Sequence, residues 1–489
     1  MRANVVIVGG GIIGTSIARE LSRYDLSVIL VDKEADIAFG GSTKANTGII
    51  HAGYDDKPGT LKARLCIRGN SLWPRLASEL DVPFERTGSL VVALGEDEVS
   101  TLVELKHRGE KNGVPGLEII DNPKKLLDLE CNLNEKAVAA LYAPTAGVTS
   151  PYDMAIALAE NAAQNGVQIM LETRVTRVVV ERNSVKGVET GKGFIETEFA
   201  VNAAGLFSDE VSAMAGVDHF AITPRRGEYF VFDKALGNFV RHILFPIPAR
   251  LGKGIVVTHT VDGNLLIGPN ANDIEDRTDL ATTRDGLEEV FTGALKLVPK
   301  LSSKRDMMIS NYAGLRAESN VDDFIIAAYE EPRGFINVAG IKSPGLTSAP
   351  AIAEMVASLL SEAGLGLREK GHFNPSHRSI DRSIRELSID KAEERIAEDP
   401  KWGHVICRCE HVTEGEIVEA IKRGATTLDG IKFRTRAGMG RCQGGFCTSH
   451  LIRIISKELG VPVTEITKRG GHSEVLPHEV KTLLQKGAK

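Results

Sequence analysis

The stretch NVVIVGGGIIGTSIARELSRYDLSVILVDKE, residues 4–34, constrains the fold more than any other part of the chain. Residues 4–8 are a short apolar run, as a buried strand needs. Gly9, Gly11 and Gly14 then form G-x-G-x-x-G. From residue 12 to about residue 24 the apolar side chains Ile13, Ile17 and Leu21 recur at helical spacing. Residues 27–31 are a second apolar run that ends at Asp32. Strand, helix, second strand and terminal acid fall in the order of a dinucleotide-binding βαβ unit. Gly9 permits the tight turn, Gly11 lets the backbone approach a pyrophosphate, and Gly14 lets helix and strand pack closely. The helix N-terminus offers free N–H groups to phosphate. Asp32 stands where a carboxylate accepts hydrogen bonds from ribose. The motif alone does not separate NAD from FAD.

One such unit does not account for 489 residues, which suggest two to four domains. A net charge of −6 and the lack of a dense basic patch give no reason to expect nucleic-acid binding. No run of eighteen apolar residues is present, so no transmembrane helix is expected. The N-terminus enters a strand pattern directly, without signal-peptide features, and a cytoplasmic location is the expectation. Thiols stay reduced there, so clustered cysteines point to metal or redox chemistry rather than disulfides. Four of six are clustered; Cys66 and Cys131 stand alone and read as small buried hydrophobes.

FGGSTKANTGIIHAGYDDKPGTLKARLC, residues 39–66, is a long polar loop where an NAD domain would return to its next βα unit. Here the chain resembles the D-amino-acid oxidase-like superfamily of FAD oxidoreductases, and IIHAGYDDKPGTLKARLC is similar to the branch containing L-2-hydroxyglutarate dehydrogenases. FAVNAAGLFSDEVSAMAG (199–216) and GFINVAGIKSPGLTSAPAIAEMVASLL (334–360) are similar to later superfamily segments. The resemblance implies an α/β fold with a discontinuous Rossmann-like FAD-binding domain (1–85, 145–215 and 311–365). It implies an α+β substrate domain built on an antiparallel sheet, inserted at 86–144 and 216–310. Strand-like runs at 228–233, 254–259 and 264–269 fit that insertion. The implied FAD contacts are Gly9, Gly11, Ile12, Ile13, Gly14, Asp32 and Lys33, then Ser42, Thr43, Thr47 and Gly48 of the loop. Further along they are Val175, Ala204 and Gly205, and Gly340, Lys342, Gly345, Leu346 and Thr347 of the closing turn. In the superfamily the helix after that turn faces the flavin ring, where its dipole favours the charge that reduction brings.

ICRCE and RAGMGRCQGGFC place Cys407, Cys409, Cys442 and Cys447 as C-x-C followed by C-x4-C. Zinc is a rival, but C-x-C is tight for a single tetrahedral ion. Gly438, Gly440, Gly444 and Gly445 free the backbone to aim N–H groups at anionic sulfur, which suits an iron–sulfur cluster. Arg408 and Arg441 add positive charge beside the cysteines. Thr413 and Glu416 have capping-box spacing for a short helix that Gly424 would end, and another helix follows from about Ser449. The segment resembles the bacterioferritin-associated-ferredoxin-like [2Fe–2S] module, in the version at the C-terminus of anaerobic-type glycerol-3-phosphate dehydrogenase catalytic subunits. A small helical module at 403–455 is implied, after a charged linker at 366–402 and before a tail at 456–489.

A cluster beside a flavin argues for electron export, since a flavin takes an electron pair and the cluster passes single electrons. The expected reaction is hydride transfer from an anionic secondary alcohol, foremost sn-glycerol 3-phosphate, to flavin N5. A 2-hydroxyacid, an amino or imino acid, and a non-catalytic electron-transfer subunit are the alternatives. NYAGLRAESNVDDF (311–324) and TPRRGEYFVF (223–232) resemble substrate-pocket segments of the superfamily and make Arg316, Arg226 and Tyr229 candidates for substrate binding. His51 and His259 are candidate bases, and Lys342 is a candidate catalytic cation. The expected partner is a second flavoprotein or iron–sulfur subunit that accepts the electrons, with any membrane contact made through partners.

Overall fold

A computed structural model describes residues 1–248, 254–377, 384 and 387–479. The chain forms two compact units, Met1–Lys33 with Gly40–His377, and Glu34–Phe39 with Arg378–Lys489.

The first unit holds a six-stranded sheet in the order Ile325–Ala328, Phe335–Ala339, Phe199–Asn202, Val5–Val8, Val28–Val31, Gln168–Met170. Its pairs are parallel except that of the first two strands. All four residues of Val5–Val8 and of Val28–Val31 are buried, as strands covered on both faces require. The helix Ile12–Leu21 packs against Pro151–Gln164 and Gly345–Glu362. Gly345–Glu362 also crosses Leu61–Leu80 so closely that a Cβ on Gly69 would lie 2.0 Å from the Thr347 carbonyl oxygen. This crossing fixes the start of the closing helix.

The second large sheet has nine strands: Asn272–Asp273, Ile222–Phe232, Leu265–Gly268, Val256–His259, Ile243–Pro246, Ser89–Ala93, Ala139–Ala143 and Glu118–Ile120, with Met308–Ser319 also paired to Ile222–Phe232. It is antiparallel but for one parallel pair, Ile243–Pro246 with Ser89–Ala93. Residues 311–319, drawn into the third FAD segment by sequence, lie in this sheet, because Met308–Ser319 pairs along its length with Ile222–Phe232. Phe230, Phe232, Leu244, Leu265 and Ile267 meet the helix Arg284–Leu297 in its core. Each such apolar side chain stabilises the fold by ~1.5–3 kcal/mol. Cys66 is buried as expected, but Cys131 is exposed, in the turn after the helix Pro123–Leu129.

In the second unit the helices Glu414–Lys422, Leu428–Thr435 and Thr448–Leu459 enclose their own core around Ile417, Ile431 and Ile455. The Thr413–Glu416 capping box forms, and Gly424 follows the helix at φ 95°. The helix Leu428–Thr435 was not anticipated; its N-cap is Thr427, whose hydroxyl accepts from Gly430 N. Of the expected linker, residues 378–383, 385 and 386 lie outside the described residues, and 389–398 are helical. Residues 480–489 of the tail also lie outside them. No helix among the described residues is long and apolar enough to cross a membrane.

Candidate functional site

The glycine turn is shaped from both sides. Gly9 has φ 116°, and a Cβ there would lie 2.3 Å from the Ala203 carbonyl oxygen. A Cβ on Gly14 would lie 1.8 Å from the Gly9 carbonyl oxygen, so close helix–strand packing needs glycine here. The Gly10 N–H donates to the Asp32 carboxylate, tying the turn to the end of the second strand. Gly11 is the helix N-cap and brings no side-chain acceptor; the Ile12 N–H donates instead to Thr43 Oγ1 at 3.0 Å. The 42–48 loop is thereby fastened over the helix N-terminus. Asn46 Nδ2 donates to the carbonyls of Ser42 and Thr43, and its Oδ1 accepts from Gly48 N. Gly48 has φ 69°, and Lys33 lies over the Phe207 ring at 3.6 Å. These residues fit a dinucleotide: a helix N-terminus whose N-cap residue brings no side chain, a glycine turn and an acid sit in one place.

The same loop reaches the nine-stranded sheet. Ser42 Oγ donates to the Leu315 carbonyl, and Tyr312 Oη donates to the Asn46 carbonyl at 3.2 Å. A Cβ on Gly314 would lie 2.0 Å from the Ala45 carbonyl oxygen, so this glycine lets the loop lie on the strand. Tyr229 is opposite Tyr312 and Arg225 opposite Arg316 in the strand register. The period of two therefore puts Arg316, Tyr229 and Tyr312 on the face the loop covers, and Arg226 on the other. Thus the structure brings Tyr229 and Arg316 together but not Arg226, which pairs with Asp279 at 3.0 Å.

Charge pairing separates the cations further. Arg225 binds Asp273 at 2.6 Å and Glu318 at 3.4 Å, and Lys342 binds Glu318. Arg316 has no carboxylate at salt-bridge distance among the described residues. Its Nη2 donates to the Asn270 carbonyl at 3.1 Å, and it hydrogen-bonds the Tyr229 hydroxyl. Burial raises the Tyr229 phenol above its ordinary range, so it stays neutral although Arg316 opposes the shift. Asn270 is itself held by the buried Glu228, whose backbone N–H donates to Asn270 Oδ1 at 2.8 Å and whose Oε2 accepts from Asn270 Nδ2 at 3.1 Å. A Cβ on Gly227 would lie 2.9 Å from Arg316 Nη2. The Arg-Gly-Glu sequence thus makes room for Arg316 and braces it.

His51 follows the short strand Ile49–Ile50. Its backbone N–H donates to Thr347 Oγ1 at 2.9 Å, and its carbonyl accepts from Asn70 Nδ2 at 2.8 Å. Its ring Nε2 lies 3.3 Å from Ser343 Oγ, and the ring packs on Phe245. His51 therefore belongs to the closing turn, whose Gly340 has φ 64° against Ser319 and whose Gly345 and Leu346 begin the closing helix. His259, at the end of Val256–His259, pairs loosely with Glu85 at 3.4 Å, and its buried Nδ1 has no protein partner among the described residues. Val175 begins a strand of a separate three-stranded meander, while Ala204 and Gly205 follow the strand Phe199–Asn202. Asn70, Gly69, Gly227 and Gly314 were not singled out from sequence. Each supports a neighbour by backbone contact, which leaves no periodic signal.

In the second unit the cysteines meet as two pairs. Cys409 Sγ and Cys442 Sγ are 3.5 Å apart, and Cys407 and Cys447 are in hydrogen-bond contact. No three His, Cys, Asp or Glu side chains among the described residues converge on one ion position. Two thiol pairs suit two irons and disfavour one zinc. Backbone N–H groups of Gly438 and Glu410 point at Cys407, and those of Phe446, Gly444 and Gly445 at Cys442. The Cys447 contact, with those N–H groups, pulls the Cys407 thiol down to about 6. Gly438 and Gly444 hold φ of 90° and 86°, and a Cβ on Gly440 would lie 2.2 Å from Cys409 Cβ.

Comparison with known proteins points to the same two cofactors. Residues 4–359 match the family model for FAD dependent oxidoreductases, and residues 405–457 match the BFD-like [2Fe-2S] binding domain. The chain is 47% identical over 484 residues to a glycerol 3-phosphate dehydrogenase of Caloramator mitchellensis, covering 99% of this chain and 100% of that one. It is 31% identical to an L-2-hydroxyglutarate dehydrogenase of Indibacter alkaliphilus, over 73% of this chain and 98% of that one. Among solved structures, the dithionite-reduced L-alpha-glycerophosphate oxidase of Mycoplasma pneumoniae with FAD bound superposes with TM-score 0.72 at 32% identity, covering 77% of this chain and 98% of that one. FAD and a [2Fe–2S] cluster are the cofactors these matches imply, and the residues described above fit both.

Proposed function

The chain belongs to the FAD dependent oxidoreductase family, with a BFD-like [2Fe–2S] domain joined to it, and from that premise we propose that it oxidises sn-glycerol 3-phosphate to dihydroxyacetone phosphate. The observation that carries the substrate is Arg316, a cation with no carboxylate partner among the described residues, on the sheet face beneath the FAD loop. The full-length similarity to a glycerol 3-phosphate dehydrogenase supports it.

Arg316 holds the anionic group, since a guanidinium offers paired donors to phosphate oxygens. Tyr229, kept neutral by burial, orients Arg316 and offers a hydroxyl to the same anion. His51 takes the hydroxyl proton from C2 as the hydride leaves, with Ser343 and Thr347 fixing the ring and its backbone. His259, with one ring nitrogen unpartnered among the described residues, is the second candidate for this proton. Lys342 is committed to Glu318, so its charge shapes the turn rather than the substrate site. Bound FAD supplies the two-electron acceptor at this site. Cys407, Cys409, Cys442 and Cys447 would hold the cluster, which would supply a one-electron exit to a partner redox subunit. The glycerophosphate oxidase is matched along nearly all its length by only 77% of this chain, which supports the cluster domain as an addition for export.

A 2-hydroxyacid is the second reading, favoured by the similarity to L-2-hydroxyglutarate dehydrogenase and by the ability of Arg316 to bind carboxylate. Flavin bleaching under anaerobic conditions separates the two. Rapid bleaching by sn-glycerol 3-phosphate, with slow or no bleaching by glycerol, L-2-hydroxyglutarate and proline, is the expected result. Equal rates for glycerol and glycerol 3-phosphate would remove the anion site.

A further inference from the structure

Asn70 is a buried polar side chain near the middle of the helix Leu61–Leu80, a place that favours neither asparagine nor an uncommitted amide. Its hydrogen bonds account for it. Nδ2 donates to the His51 carbonyl at 2.8 Å and to the Thr145 carbonyl at 2.9 Å, and Oδ1 accepts from Arg86 Nη1 at 3.0 Å. Arg86 Nη2 donates to the backbone carbonyl of Asn70 at 2.8 Å, and Nη1 donates also to the Thr145 carbonyl. Arg86, Asn70 and Thr145 thus close a ring of hydrogen bonds, from which one bond leads out to His51. One helical turn before Asn70, Cys66 Sγ lies 3.8 Å from the same His51 carbonyl. Arg86 itself is exposed and follows the short strand Phe84–Glu85. It has no carboxylate at salt-bridge distance among the described residues; its neighbour Glu85 pairs with His259 instead.

We infer that Asn70 and Arg86 are positioning residues for His51: Arg86 orients the Asn70 amide, and the amide fixes the backbone that carries the His51 ring. A guanidinium has donors and no acceptor, so the amide oxygen of Asn70 must face Arg86. The NH2 end is thereby turned to the carbonyls of Thr145 and His51, both of which need a donor. Without Arg86 the amide is free to turn its oxygen toward the His51 carbonyl, and the two acceptors repel. The His51 peptide then loses its hold from this helix, and the ring Nε2, 3.3 Å from Ser343 Oγ, leaves its place in the closing turn. A misplacement of about 1 Å in a reacting group costs up to about a hundredfold in rate. The inference rests on the reading of His51 as the group that takes the substrate's hydroxyl proton.

Asn70→Asp separates positioning from mere packing. The carboxylate keeps the size of the amide and gains an ion pair with Arg86, but it has no donor for the His51 carbonyl. Full-length holoprotein is mixed anaerobically with sn-glycerol 3-phosphate by stopped flow, and its FAD release temperature is measured separately by flavin fluorescence. The limiting rate of flavin bleaching should fall about tenfold or more. The half-saturating substrate concentration, set by Arg316, and the release temperature should both stay near the parent's. Arg86→Met, at an exposed position, removes the donors without touching the helix and should slow bleaching in the same way. The double variant should be no slower than the slower single one, since both break one chain of contacts. An unchanged bleaching rate in both single variants would overturn the inference. So would a slower rate that comes with a lower release temperature in both, because the pair would then only stabilise the fold, and so would strictly additive losses in the double variant. Bleaching of His51→Asn at the parent's rate would instead overturn the reading of His51 as the base.

Discussion

Arg316 and Arg226 cannot be told apart by residue type, but the structure gives them different surroundings. Arg226 is neutralised by Asp279 on one face of the sheet; Arg316, on the other, is held by a backbone carbonyl and a neutral phenol, with no carboxylate at salt-bridge distance among the described residues. Arg316→Ala should therefore raise the Michaelis constant for glycerol 3-phosphate about ten- to a hundredfold, from loss of a charge-assisted contact of ~1.5–3 kcal/mol. Arg316→Lys should keep much of that binding, and Arg226→Lys should change it little. Steady-state kinetics with a dye acceptor measure all three. The sequence pointed to both arginines because each lies in a pocket-like segment. What separates them is the register between two strands about ninety residues apart, which no local pattern encodes.

At the scale of elements, the closing helix Gly345–Glu362 is positioned by its crossing with Leu61–Leu80, where Gly69 meets the Thr347 carbonyl. Trp73 Nε1 donates to the same carbonyl at 2.9 Å, and Thr347 Oγ1 accepts from His51 N. Gly69→Ala overpacks this crossing and should cost ~1–3 kcal/mol. Because the crossing also sets the closing turn and His51, the variant should release FAD at a lower temperature than the parent and oxidise substrate more slowly. Thermal release followed by flavin fluorescence checks it; an unchanged release temperature would show that the helix tolerates a shift. Helices and strands with strong periodicity were legible in sequence, including the first βαβ unit and the capping box at Thr413. The helix Leu428–Thr435 was missed, since its apolar residues form too short a pattern and only Thr427 marks its start.

For the molecule as a whole, sequence carried the two cofactors further than the substrate. Gly9, Gly14 and the four cysteines announce themselves because backbone clearance and thiol ligation admit few other residues. The base does not, since His51 is distinguished by contacts with Ser343 and Thr347, far away in the chain. Loss of the cluster should leave the flavin chemistry standing: Cys442→Ser should lose iron, retain FAD and keep dye-linked oxidation, as iron assay and absorbance would show. The central claim is that substrate electrons enter at the flavin and proceed to the cluster on the same chain. Anaerobic titration with sn-glycerol 3-phosphate, followed by absorbance and by the paramagnetic signal of the reduced cluster, tests it most directly. FAD holds two electrons and a [2Fe–2S] cluster one, so the parent should take up about 1.5 equivalents of substrate and Cys442→Ser about one. Uptake of about one equivalent by both, with no signal from the parent's cluster, would contradict the account.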